Sequence, residues 1–165
     1  MNEVWKAIAD DFVDLPNGPQ MLRVAIRLIL AAALGGVLGY EREKRGKQAG
    51  LRTHMMIALG AALFALVPQQ AGMSDDAVAR VLQGLVAGIG FLGAGPILKL
   101  EDKMEVRGLT TAASIWLTAA VGMTVGLGRG ATAVLATALA LLILAVLPKG
   151  DLIDHKGEKP ERVPV

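Results

Sequence analysis

The chain has 165 residues, is 53% hydrophobic with a mean hydropathy of +0.50, and carries a formal charge of only +2. A soluble domain of this length has no core large enough to hide so much aliphatic surface, which excludes a soluble fold. The absence of cysteine removes disulfides, thiolate metal sites and cysteine nucleophiles together.

Residues 1–20 read as an amphipathic helix lying on a membrane surface. Val4, Trp5, Ile8, Phe12 and Leu15 share one face, and Glu3, Lys6, Asp10, Asp11 and Asp14 occupy the rest. The segment lacks the basic start and uninterrupted apolar stretch of a signal peptide. Residues 21–148 form a polytopic domain with five apolar runs near the ~20 residues that span a bilayer. The first, Leu22–Tyr40, carries Arg23 and Arg27 at its start; the second, Leu51–Val67, is closed by Pro68. The third, Val81–Leu98, is rich in glycine. The fourth, Leu109–Leu127, and the fifth, Ala131–Leu147, carry no acidic or basic residue until Pro148 closes the last. The expected architecture is an all-α integral membrane protein of about five transmembrane helices, with a polar cytoplasmic tail over residues 149–165.

Sliding the chain against itself by 58 residues aligns helices 1–2 with helices 3–4, with 11 identities over the 34 positions from Leu34 to Val67. Leucine and alanine matches are cheap in this composition. Glu43/Glu101, Gly50/Gly108, Leu51/Leu109 and Thr53/Thr111 are less so, because they recur at the loop and helix entry. Two duplicated helical hairpins of equal topology, related by an axis along the membrane normal, plus a fifth helix outside the repeat, fit this pattern. Lys and Arg fall unevenly between the two ends: 12 on the side of the helix 1–2 loop, the helix 3–4 loop and the tail, and 5 on the other. The first side is therefore expected to be cytoplasmic, with the N-terminus outside.

Glycine spacing marks candidate packing faces. Gly35 and Gly39 form a small-xxx-small pair on helix 1; Gly84, Gly88 and Gly95 share a face of helix 3, with Gly90 and Gly93 on another. The competing reading is that these glycines and Pro96 break helix 3 and expose carbonyls, as in transporter ion sites. A glycine face could also seat a homodimer. Charges at membrane depth are costly and are usually paired or functional. On the outer side Arg27 either snorkels to the interface or joins a cluster with Asp76, or its neighbour Asp75, and Arg80. The inner side gathers Glu41, Glu43, Arg52, Thr53, His54, Glu101, Arg107, Thr110 and Thr111. Mutual ion pairing there, Glu41 or Glu43 with Arg52 or Arg107, is the expected arrangement. The alternative is a divalent-cation site at Glu41, Glu43, Glu101 and Asp102, since hydrated magnesium is held by one or two carboxylates that leave its waters in place. His54 is either a proton sensor or a satisfied polar residue. Metal-binding His pairs, phosphate-binding Gly-Lys loops and nucleophile elbows are all missing, so neither an enzyme nor nucleic-acid binding is expected, and Mg2+ is the sole candidate cofactor.

Four stretches together resemble the MgtC/SapB family: Leu34-Gly-Gly-Val-Leu-Gly-Tyr-Glu-Arg-Glu43, Ala49-Gly-Leu-Arg-Thr-His-Met55, Gly88-Ile-Gly-Phe-Leu-Gly-Ala-Gly95 and Val106-Arg-Gly-Leu-Thr-Thr-Ala-Ala-Ser114. They occur in family order. The resemblance implies a bacterial inner-membrane protein of magnesium homeostasis, tied to magnesium limitation and, in some members, to survival inside host cells. It implies a regulator of membrane bioenergetics that acts on a membrane partner such as the F-type ATP synthase. Members often add a soluble C-terminal domain, expected to be absent here because the chain ends at Val165. Ala77 departs from the acidic residue expected three before Arg80, and Asp76 stands one step away. A small transporter or channel for a cation or other solute is the alternative. The uncharged helices 4 and 5 favour the regulator.

Overall fold

The computed structural model describes residues 3–6, 18–100 and 105–146. Glu3–Lys6 is helical; most of the expected N-terminal surface helix, and the whole tail 149–165, lie outside the described residues. Five apolar helices follow: α1 (Gly18–Lys44), α2 (Leu51–Gln70), α3 (Asp75–Ala94), α4 (Leu109–Gly126) and α5 (Gly130–Val146). The first four are long and apolar enough to cross a bilayer, and α5 is a shorter apolar helix of 17 residues. This is an all-α, multi-pass membrane protein.

Helix boundaries follow local chemistry. α2 continues through Pro68 to Gln70, three residues past the expected stop. Proline removes one amide near a terminus where the ladder is ending anyway, and its own carbonyl accepts from Met73 N at 3.1 Å. Gly72, at φ 68, then turns the chain in a conformation that favours glycine. α3 starts six residues earlier than the hydropathy suggests. Ser74 caps it, accepting from Ala77 N at 3.4 Å, and Asp75 and Asp76 sit in the first turn, where the helix dipole favours acids. It ends at Ala94, before Gly95 and Pro96, so Ile97 and Leu98 are not helical. Leu98–Leu100 instead pairs antiparallel with Glu105–Arg107 as strands β1 and β2, with Leu98 opposite Arg107. This short ribbon is absent from the expected set of elements.

α2 and α4 form the centre of the bundle. α1 and α3 each pack on both, and α5 lies against α1 and α4. Ala31, Ala62, Val121, Val125 and Ala133 make one core; Ala49, Ala61, Ile89, Ile115 and Ala119 make another. Most of these side chains are small, so the helices approach closely and van der Waals contact between backbones does the holding. Large apolar side chains such as Phe91, Ile29 and Leu135 point outward, as suits a lipid-facing surface.

The two hairpins are built alike at several points separated by 58 residues. α2 and α4 begin at Leu51 and Leu109, each after a glycine, and their first carbonyls are matched: His54 N donates to Gly50 O and Ala112 N to Gly108 O. The Cα of Gly35 faces the His54 carbonyl, and that of Gly93 faces the Ala112 carbonyl. Ala61 and Ala119 share one core cluster. The hairpins diverge at their turns. α1 runs on to Lys44, whereas α3 stops at Ala94 and hands over to the β-ribbon.

Candidate functional site

The end of the bundle where α1 finishes and α2 and α4 begin holds a buried polar layer. Arg42 lies three residues past Gly39 and four past Leu38, and all three are on the buried face of α1. Gly39 allows the approach, since a Cβ there would lie 2.8 Å from both Gly50 O and Leu51 Cα. Arg42 is consequently 2% exposed and His54, on the facing turn of α2, is fully buried. Burying a guanidinium is costly unless it is paired. Arg42 Nη1 lies 3.5 Å from Glu41 Oε2, and Arg45 pairs with the same carboxylate through its Nε. Among the described residues, Arg42 Nε and Nη2 have no hydrogen-bond partner.

His54 links α2 to α4. Its Nδ1 is 2.9 Å from Gly50 O, and a carbonyl only accepts, so Nδ1 carries a proton. Its Nε2 lies 3.3 Å from Ser114 Oγ, whose hydroxyl is also 2.8 Å from Thr111 O. With a neutral ring the single Ser114 proton serves either Nε2 or the Thr111 carbonyl. Glu43 does different work: its Oε2 accepts from Leu51 N at 2.8 Å and caps α2. That contact requires Gly50, because a Cβ there would lie 2.5 Å from the carboxylate oxygen.

The structure therefore arranges the inner charges differently from the expected Glu41/Glu43 to Arg52/Arg107 pairing. Glu41 pairs with Arg42 and Arg45 on its own helix, since Arg45 stands one turn on and Arg42 is trapped beside it. Arg52 and Thr53 face outward, and Arg52 makes no ion pair among the described residues. Thr110 is exposed and Thr111 is buried. Arg107 is placed by its strand register opposite Leu98. Glu101 and Asp102 lie outside the described residues. Glu41 and Glu43 are committed to protein cations and a backbone amide, which is a poor match to the free carboxylates that hold hydrated magnesium. No group of three acidic, His or Cys side chains that could hold a metal occurs among the described residues.

At the opposite end, Arg27 Nη1 donates to Gly126 O at 3.1 Å, and Asp76 and Arg80 are exposed, so the three do not form a cluster. The glycines also sort differently. Gly35 and Gly39 sit against α2, while added Cβ atoms on Gly84, Gly88 and Gly90 would meet nothing within 4 Å. Gly93 and Gly95 have ordinary contact distances of 3.6 and 3.4 Å. The tightest helix crossing is one the spacing did not single out: Gly122 and Gly126 of α4 press on the Ala58 and Ala62 carbonyls of α2. Their own i, i+4 spacing was the available signal. Arg42, Arg45 and Ser114 also belong to the polar layer; Arg42 and Ser114 were legible only as members of the quoted motifs, and Arg45 only as one of the basic residues of the helix 1–2 loop.

A glycine-packed membrane bundle with a buried Arg–His layer at one end defines a class of small multi-pass helical membrane protein. The sequence pattern of the MgtC family matches residues 28–151, and the chain belongs to that family. It is similar to protein SrpB of Synechococcus elongatus, 44% identical over 160 residues that cover 90% of this chain and 87% of SrpB. It is 46% identical over 129 residues to Escherichia coli YhiD, by name a candidate magnesium transporter, covering 73% of this chain and 59% of YhiD. It is 42% identical over 145 residues to protein MgtC of Salmonella typhimurium, covering 88% of this chain and 58% of MgtC. No solved structure matches at a significant level.

Proposed function

We propose that this protein acts in magnesium homeostasis as a non-enzymatic regulator in the bacterial inner membrane, working by contact with a membrane partner of which the F-type ATP synthase is one candidate. Family membership and the magnesium-related name of YhiD support the magnesium role. The observation that carries the regulatory reading is how the polar groups in the helices are used. Thr118, Thr124 and Thr137 each donate to a carbonyl one turn back on their own helix, at 2.7, 2.8 and 2.8 Å. Their donors are used within their own helices, and the α2–α4 crossing is closed by backbone contact at Gly122 and Gly126. A conduit would need unsatisfied oxygens facing a common space. The open glycine face of α3 at Gly84 and Gly88 supports a partner helix, since small residues are what a neighbouring helix packs on.

The 12 to 5 split of basic residues supports a cytoplasmic location for the polar layer, with the N-terminus outside. The test is complementation of a strain lacking the gene during growth in low magnesium, coupled to cross-linking and co-purification from native membranes. Restored growth, with a membrane protein recovered by wild type and lost in Gly88→Leu, is the expected result. Restored growth with no partner recovered by either form would overturn the contact mechanism, and failure of wild type to restore growth would overturn the magnesium role.

A further inference from the structure

We propose that the hollow where α1 begins and α2 ends binds a phosphate-bearing anion at the membrane interface, supplied either as an anionic phospholipid headgroup or as the free ion. This site is independent of the polar layer: Arg27 and Arg42 are 15 residues apart on α1, ~22 Å along a helix. The hollow has a volume of about 620 Å3; its polar lining is Gln20, Arg23, Arg27, Gln69 and Gln70, with Val24 and Leu66 on its apolar wall. That volume lies within the ~300–1,000 Å3 of ligand sites.

Charge decides the ligand class. Among the described residues the lining holds two arginines and no carboxylate. No acidic residue stands in the first turn of α1, and Asp75 and Asp76 at this end are exposed and pair with neither arginine among the described residues. Arg27 is held in place rather than left to wander. Its Nη1 donates to Gly126 O, and its Cζ lies where a Cβ on Gly128 would come within 3.0 Å. Gln69 Nε2 bonds Ala65 O at 2.6 Å and reaches the same Gly126 carbonyl at 3.4 Å, tying α2 to α4 behind the arginine. A neutral carbonyl leaves the guanidinium charge uncompensated among the described residues and most of its five donors available. A second guanidinium one turn away on the same face makes a two-armed receptor, and the planar fork of arginine matches phosphate oxygens. Val24 and Leu66 give the apolar floor that a lipid glycerol or acyl chain would contact.

The test uses the full chain purified in mild detergent, with binding read by native mass spectrometry and by thermal shift. The probes are phosphatidylglycerol, inorganic phosphate and, as a zwitterionic control, phosphatidylcholine. Arg23→Gln is the main variant, because Arg23 is exposed and its loss leaves the packing intact. Arg27→Lys keeps the charge but removes the fork. Wild type should bind phosphatidylglycerol or phosphate saturably, and Arg23→Gln should weaken that binding about tenfold, the loss of one charge-assisted hydrogen bond. Response to phosphatidylglycerol alone assigns a lipid source, and displacement by inorganic phosphate assigns the free ion. The proposal is overturned if wild type binds neither anion, if it holds phosphatidylcholine as tightly as phosphatidylglycerol, or if both variants bind like wild type.

Discussion

Three arginines near the α1–α2 turn differ sharply in what they do, although they lie within one short stretch of the chain. Arg42 is buried beside Glu41, Arg45 reaches the same carboxylate from a half-exposed position, and Arg52 points outward. Removing Arg42 leaves a largely buried carboxylate short of a partner, so Arg42→Ala should cost about 3 kcal/mol, in the range for breaking a buried pair. Arg45→Ala should cost under ~1 kcal/mol, since water screens a half-exposed pair, and Arg52→Ala less still. Melting temperatures in one detergent check the order. If Arg52→Ala falls as far as Arg42→Ala, the pairing described here is wrong. The sequence placed Glu41, Glu43 and His54 in one polar layer but could not name their partners. Glu41 and Arg45 are four apart on a helix, a pairing visible in principle. The burial of Arg42 depends on Gly39 letting α1 approach Gly50, which is a tertiary fact with no local signature.

Among the helices, the same i, i+4 glycine spacing has two meanings. Gly122 and Gly126 carry a backbone crossing, whereas Gly84 and Gly88 look onto open space. Spacing reports that a close approach is allowed and is silent on whether a neighbour takes it. Gly122→Ala would drive a Cβ to within 2.8 Å of Ala58 Cα and should destabilise the bundle by about 1–3 kcal/mol. Gly88→Ala meets nothing and should be neutral or stabilising by up to ~1 kcal/mol through helix propensity. Thermal unfolding of the two variants side by side separates them. Equal loss would mean that α3 also packs tightly. Element limits show a similar split. Starts at Leu51 and Leu109 were legible because each follows a glycine and opens an apolar run. The early start of α3 was not, because its first turn is polar and only the Ser74 cap and the dipole justify it.

For the molecule as a whole, the 58-residue repeat and the central placing of α2 and α4 describe two hairpins meeting face to face, with α5 added at the side. The sequence carried this far because glycine, threonine and glutamate matches at the turns are few enough to stand out. The β-ribbon escaped it, since the hydropathy of Ile97 and Leu98 continues that of α3. Orientation is checked by reporter fusions: a fusion at Gly72 should report the outer side, and a cytoplasmic signal there would invert the reading of both ends. What separates a regulator from a transporter is whether the sealed crossing at Gly122 and Gly126 admits ions. The direct measurement is magnesium entry into proteoliposomes containing the purified full chain, with an imposed gradient and membrane potential. Entry no faster than into protein-free liposomes is the expected result. Saturable magnesium entry that depends on the protein, and is abolished by Gly122→Leu, would contradict it.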